Sequence, residues 1–491
     1  MKEFLYIILL GILLISCNNS QVEIISEKHT ENLQISNDIN KRLISVSYAD
    51  LKTDNDILAY YLENNYAGFY QISEKGFSTK NFIEDFEKEF SSKPAITISN
   101  YYEWIVSYLS NFINDPHFTV QKHNQGQALS NIFYNTFSNI YVKKENEKFY
   151  VVESDNPEIS LGDIYKDESE YLFYYPSKGE DVYRIGLFQN SPRKDIINLN
   201  FSNKSVDINL SLPECKSFSS FYTNIETDDS AYIHLNLFLP SEMIGLDIIQ
   251  TSQILNDFTK LSKQYRNKKY VILDLRNNGG GSSHYPKIFL SNLYWNNKIF
   301  SKDYRELVVN GEKISYLIND SIAQAIKKTR NEIYVKGTKE YKAFDFYLNP
   351  LKENTTVTFS KKDNNNDISP LANPRFEGKI ILITNRNTAS ASEECIWFAK
   401  MLFDSTNQLV IVGENSLGCI EYGHPWSYEL PNTGLQFGIP ASKIDLPFFA
   451  NESCVGYAPD IYTTDEDLIK TLSTEIDDKD LLSKLAKIHL H

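Results

Sequence analysis

Three short stretches of this chain are almost uninterrupted in their apolar character: Tyr270-Val-Ile-Leu-Asp274, Lys379-Ile-Ile-Leu-Ile-Thr384 and Gln408-Leu-Val-Ile-Val-Gly413. Runs of this length, rich in β-branched residues, predict strands covered on both faces, as in a mostly parallel sheet. A further strand is predicted at Ala231–Phe238, and a helical pattern from about Ile244 to Tyr265 returns the chain to the strand at 270. Strand, helix and buried strand in that order argue for an α/β layer with a right-handed crossover. Another helix follows the second run through Ile396, Phe398, Ala399 and Leu402, and helical pattern returns from about Asp478 to the C-terminus.

The front of the chain has a different period. From Asp54 to Asn114 the pattern is helical. Ser78 is a candidate N-cap for a helix carrying Phe82, Phe86 and Phe90 at four-residue spacing. The next helix is predicted to open at Ser99 or Asn100, to carry Trp104, Ile105, Tyr108, Leu109 and Phe112, and to stop near Asn114 because Pro116 disfavours helix before it. Between 139 and 215 short β-like runs alternate with turns, among them Phe149–Glu153 and Ser205–Leu212. Residues 296–377 interrupt the strand–helix rhythm and include the polar run 361–367, expected to be an exposed loop. No internal repeat is present.

A chain of 491 residues exceeds one core, so two or three domains are expected. Lys plus Arg number 49 against 64 Asp plus Glu, a net charge of −15. With no basic cluster to meet phosphates, a nucleic-acid partner is excluded. Lys2 precedes an apolar run from Phe4 to Ile15, too short to span a bilayer comfortably and placed where a signal peptide's hydrophobic region belongs. Leu14-Ile-Ser-Cys17 resembles the lipobox of bacterial lipoproteins, which implies lipidation at Cys17, and the polar segment from Asn18 to about Lys41 reads as a tether. The remaining cysteines, Cys215, Cys395, Cys419 and Cys454, are too scattered for a disulfide scaffold or a zinc site. A bridge between Cys419 and Cys454 stays open.

The chemistry lies where two of the buried strands end. The first runs into Arg276-Asn-Asn-Gly-Gly-Gly281, whose glycines let backbone N–H groups face a close ligand. The second runs into Asn385-Arg-Asn-Thr-Ala-Ser-Ala-Ser-Glu-Glu394, placing Ser390 where strand gives way to helix. A hydroxyl at a helix N-terminus beside a glycine-rich backbone supplies the nucleophile and the oxyanion donors of acyl transfer. Asp274–Gly281 and Thr388–Glu393 resemble the "DLRNNGGG" and "TASASE" turns of the C-terminal processing (tail-specific) peptidases and their tricorn-core relatives. The resemblance extends loosely over 228–470. It implies Ser390 as nucleophile, ahead of Ser392, with the N–H groups of Ala391 and Gly280 holding the oxyanion. Asp274 and Arg276 are expected to anchor the turn as a local ion pair.

A serine nucleophile needs a base. In many tail-specific peptidases it is a lysine in a "GKG"-like turn; here the matching turn is Gly413-Glu-Asn-Ser-Leu-Gly-Cys419, with Cys419 in the lysine's place. The tricorn-like branch implies a histidine instead, and Asn114-Asp-Pro-His-Phe-Thr119 is similar to its "D-x-H-T", which makes His117 the candidate base. His284 is a second choice. Glu452, before Val455-Gly-Tyr-Ala-Pro-Asp460, resembles that branch's orienting glutamate, with Asp115 as rival. Glu393 and Glu394 are expected to favour the helix dipole rather than do chemistry.

The fold expected is α/β with a crotonase/ClpP-like core, an N-terminal helical domain and a β-rich PDZ-like module. The last rests on Glu158-Ile-Ser-Leu-Gly-Asp-Ile-Tyr165, similar to a PDZ "G-D-x-I" turn. The segments are a signal peptide at 1–16, a tether at 17–45, a helical domain at 46–125, the β-rich module at 135–220, the core at 228–475 and a terminal helix at 476–491. The function expected is a membrane-anchored serine endopeptidase of the cell envelope acting on protein or peptide, without metal or organic cofactor. Two rivals remain: an inactive peptide- or ligand-binding protein on the same scaffold, and an acyl transferase using Cys419.

Overall fold

The computed structural model describes residues 45–489 apart from 94–95, 123–124, 168, 191–192, 219, 240–245, 295–312, 318, 334–335, 338–340, 343–344, 349–375, 404–405 and 446–453. The polar run 361–367, Glu452 and Cys17 lie outside the described residues. The chain groups into two compact units. The first takes residues up to Ser130 with Glu312–Lys362 and Glu421–Asp445; the second takes Asn131–Gly311, Asp363–Ile420 and Leu446–His491.

In the first unit, helix Tyr48–Asn65 is capped by the Ser47 side chain, and helix Thr79–Phe90 by Ser78, whose hydroxyl accepts the Asn81 N–H. Phe82, Phe86 and Phe90 are buried, as their spacing predicts, and pack around Trp104 with centroids 5.2–5.8 Å away. Helix Ile98–Leu109 starts earlier than predicted. Thr97, extended at φ −86°, accepts the Asn100 N–H, so Ser99 and Asn100 lie inside the first turn rather than at its cap. It also ends earlier, at Leu109, after which the chain enters the strand Asp115–Lys122. That strand sits in an antiparallel sheet between Gln125–Leu129 and Gln436–Asp445. Beyond Gln436–Asp445 lies Lys313–Tyr316, and Tyr422–Glu429 also pairs with Gln436–Asp445. Thus strands from 421–445, within the stretch expected to build the α/β core, instead complete the sheet that carries His117. Alternating polarity identifies a strand but not its partner.

The second unit holds two sheets. One has seven antiparallel strands with Lys148–Glu153 and Lys204–Asn209 among them, close to the runs read from sequence, around a core that includes Val142, Val151, Ile185, Leu199 and Phe201. The other has six strands in the order Tyr222–Glu226, Ser230–Leu235, Tyr270–Asp274, Lys379–Thr384, Leu409–Gly413 and Ile461–Tyr462. Only the first pair is antiparallel. Every residue of Tyr270–Asp274 is buried, and five of the six in Lys379–Thr384. One face packs through Ile272, Ile381, Ile383 and Val412 against Leu468, Leu472, Leu481 and Leu485 of the C-terminal helices Leu468–Glu475 and Lys479–His489. Helix Ile248–Gln264, opened by an Asp247–Gln250 capping box, precedes the strand at 270; helices His284–Tyr294 and Ala391–Phe403 follow the strands at 270 and 379. Among the described residues no helix is long and apolar enough to cross a membrane.

Candidate active site

The parallel strands end side by side, which brings their two polar turns together at the carboxyl edge of the sheet, where α/β folds bind ligands. Asparagine amides join the turns. Asn385 Oδ1 accepts the backbone N–H of Asn277 and of Asn387, and its Nδ2 donates to Asn277 Oδ1, each at 3.0 Å. Asn278, fully buried, donates through Nδ2 to Leu235 O at 2.8 Å, while its own carbonyl accepts the Ala389 N–H at 3.0 Å. Beneath them the expected ion pair is present. Asp274 receives the Arg276 guanidinium on both oxygens and the Tyr232 hydroxyl at 2.6 Å. Burial works to raise the Asp274 carboxyl, but the Arg276 charge and hydrogen bonds, together with the Tyr232 hydroxyl and His234, hold it down to about 2. The segment 213–218 packs on these turns. Arg386 donates to Pro213 O, Asn277 Nδ2 to Lys216 O at 2.7 Å, and Arg276 lies over the Phe218 ring at 5.0 Å.

Ser390 is partly exposed, and its backbone is left-handed at φ +55°, a conformation costly for a residue with a side chain. Its carbonyl accepts the Glu393 and Glu394 N–H groups at 2.8 and 3.0 Å, which starts helix Ala391–Phe403 directly after it. Gly280, at φ +105°, is pressed against this turn. A Cβ added there would fall 2.7 Å from Ser390 Cβ and 2.9 Å from both Ala389 O and Ala391 N. Ser390, Ala391 and Gly280 are therefore assembled in one place. No protein group accepts the Ala391 N–H among the described residues. The Gly280 N–H, by contrast, is already donated to Asn278 Oδ1 at 3.0 Å. Ser392 is fully buried on the helix, which separates it from Ser390.

Glu393 does more than favour the helix dipole. Fully buried, its carboxylate receives four donors: Ser416 Oγ at 2.6 Å, Gly418 N at 2.8 Å, Cys419 N at 2.6 Å and Ser390 N at 3.2 Å. It ties the 413–419 turn, where Cys419 stands buried, to the Ser390 turn. Burial outweighs these donors and pushes its carboxyl up to about 7. Glu394 forms a buried ion pair with Lys287 at 2.5 Å. Neither role was legible in sequence, because the partners come from distant segments without a shared motif. Cys419 and Cys454 are not joined by a disulfide, and Cys454 N donates to Gly418 O at 2.8 Å. His284 is exposed at the start of its helix.

His117 belongs to the first unit, 6% exposed on the strand Asp115–Lys122. Asp115 Oδ1 accepts its backbone N–H at 2.9 Å, a bond that fixes the strand entry rather than the imidazole. Burial above all, with Glu421 adding to it, pushes the Asp115 carboxyl up to about 7. Among the described residues no group of three His, Cys, Asp or Glu is placed to hold a metal ion.

Residues 229–463 match the model of peptidase family S41. No curated protein matches the chain. Among solved structures it is similar to mature CPAF complexed with lactacystin, at 13% identity over 90% of this chain and 99% of that one, with a TM-score of 0.44. It is also similar to the photosystem II D1 C-terminal processing protease, at 16% over 85% and 94%, with a TM-score of 0.36. A third is the tricorn protease, at 14% over 91% and 37%, with a TM-score of 0.33. At these TM-scores the similarity is partial.

Proposed function

We propose that this chain is a serine endopeptidase of the S41 type, lipid-anchored through Cys17 and acting on proteins of the cell envelope. The observation that carries the reading is the left-handed Ser390 at the head of a buried helix, with the Gly280 backbone pressed against it. The match of 229–463 to the S41 family supports the same chemistry, since it spans both turns. In the mechanism proposed, Ser390 Oγ attacks a peptide carbonyl and His117 takes its proton, oriented by Glu452 as the tricorn-like resemblance implies. Ala391 N–H, at the positive end of its helix, and Gly280 N–H receive the oxyanion. Gly280 must first release or share its bond to Asn278 Oδ1. The β-rich 135–220 region acts as a PDZ-like module for the substrate chain.

Two observations favour a second reading, a binding protein on the same scaffold. The Gly280 N–H is occupied, and Cys419 stands where a lysine base would be. Incubation with a fluorophosphonate separates the two. A peptidase is modified at Ser390 and cleaves unfolded casein, and Ser390→Ala abolishes both while melting as wild type does. Absence of labelling and cleavage in the wild-type chain would overturn the peptidase reading.

A further inference from the structure

We infer that Glu393 is a positioning residue whose ionised carboxylate locks the Ser390 turn to the 416–419 turn and whose protonation releases them. The inference rests on Ser390 as nucleophile and adds a control of that site by protons.

A carboxylate offers about four lone-pair positions, and all of them are met by donors here. Oε1 takes Ser416 Oγ and Gly418 N; Oε2 takes Cys419 N and Ser390 N. Three of the four are backbone N–H groups, which cannot turn round to accept. The fourth, Ser416 Oγ, already accepts the Tyr457 N–H at 2.7 Å while donating to Glu393. A proton on Glu393 therefore has to displace a donor. What it displaces is under strain. Ser390 holds a left-handed backbone at φ +55°, a costly conformation for a residue with a side chain. Such conformations persist only where surrounding bonds over-determine them. The Ser390 N–H bond to Glu393 is one of those bonds.

The titratable groups around Glu393 do not replace it. Glu394, next along the helix, is neutralised by Lys287. The Tyr457 phenol is pushed up by burial and by the charges of Glu393 and Glu394, so it stays protonated. Glu414, on the turn itself, is paired with Arg386 at 2.6 Å, but burial pushes its carboxyl up to about 7 as well, so Glu414→Gln must keep the pH-dependent protection for Glu393 to be its source. Cys419 meets the carboxylate through its backbone N–H. Burial places the exchange of the Glu393 proton near neutrality, at about 7.

The test uses the full chain. Amide exchange of 390–394 and 416–419, corrected for intrinsic exchange chemistry, should show protection that rises through a midpoint at about pH 7. Ser416→Ala removes one donor to the ionised form and should raise that midpoint by about one pH unit. Glu393→Gln brings N–H donors against existing donors. It should lose the pH dependence and react with fluorophosphonate on the order of 100-fold more slowly. Should that variant not fold, the Ser416→Ala shift carries the test. Protection independent of pH in wild type, or a midpoint unmoved by Ser416→Ala, overturns the inference. A wild-type chain that shows the pH-dependent protection but is never labelled at Ser390 supports the carboxylate lock and refutes the nucleophile instead.

Discussion

Gly280 and Ser390 meet backbone to side chain: the space where a Gly280 Cβ would stand ends 2.7 Å from Ser390 Cβ. The glycine is required twice over, by that contact and by its φ of +105°. The other two neighbours of the missing Cβ, Ala389 O and Ala391 N, are backbone atoms that cannot swing aside.

Gly280→Ala should therefore lower Ser390 labelling and turnover on the order of 100-fold or more, the loss typical of a damaged oxyanion hole. Gly434→Ala is the control. It is also left-handed, at φ +67°, but has open space around it, so it should cost only about 1–2 kcal/mol of backbone strain and leave labelling unchanged. Urea titration and labelling rates check both.

Asn385 is 2% exposed and satisfies two backbone N–H groups. Asn385→Leu keeps the size and orphans both donors, so it should destabilise the chain by about 2–4 kcal/mol in urea. In a double-mutant cycle with Asn277→Ala the two changes should fall short of additivity by about 0.5–3 kcal/mol, because they share one amide pair.

The Lys287–Glu394 pair is buried at both ends, with side chains 6% and 10% exposed. Lys287→Met alone should cost about 3–5 kcal/mol, since it strands a carboxylate in the interior. Lys287→Met combined with Glu394→Leu should recover most of that loss. A double variant no more stable than Lys287→Met in thermal unfolding would show that the charges themselves hold the two helices.

Asp115 provides a pH signature in the first unit. Burial raises its folded pKa to about 7, above the unfolded value. Its contribution is thus complete below about pH 4 and is lost as pH rises through about 7. The wild-type chain should lose on the order of a few kcal/mol between about pH 5 and 8 from this group, and Asp115→Asn, which keeps an acceptor for His117 N–H, should not. Asp274 has the opposite sign. Arg276 depresses it to about 2, so its contribution is present above about pH 4 and lost as pH falls toward 2. Stability curves against pH for the single variants separate the two.

The strands at 270, 379 and 409 were legible because burial on both faces leaves no polar position between their ends. The Phe82, Phe86 and Phe90 stripe was legible because one helix face repeats every four residues. The Asp274–Arg276 pair could be read from two residues of spacing. The cap at Thr97 was misread because Ser99 and Asn100 are also good cap residues, and only backbone conformation chooses among them. The sheet around His117 was missed for a different reason: its partner strand is more than 300 residues away along the chain.

Taken alone, then, the order of residues determined what is local: which runs must be buried, where they break, and that glycines and a serine stand at the breaks. Folding decided what those breaks are for. Glu393 became the holder of two turns only because Ser416, Gly418 and Cys419 were brought within 2.6–2.8 Å of it from another strand's end. Lys287 met Glu394 across 107 residues in the same way. Burial then changed the acidity of side chains whose letters say nothing of their surroundings. The physical reason is that periodicity encodes which face meets solvent, whereas hydrogen-bond partners and desolvation depend on which distant segments close around a group.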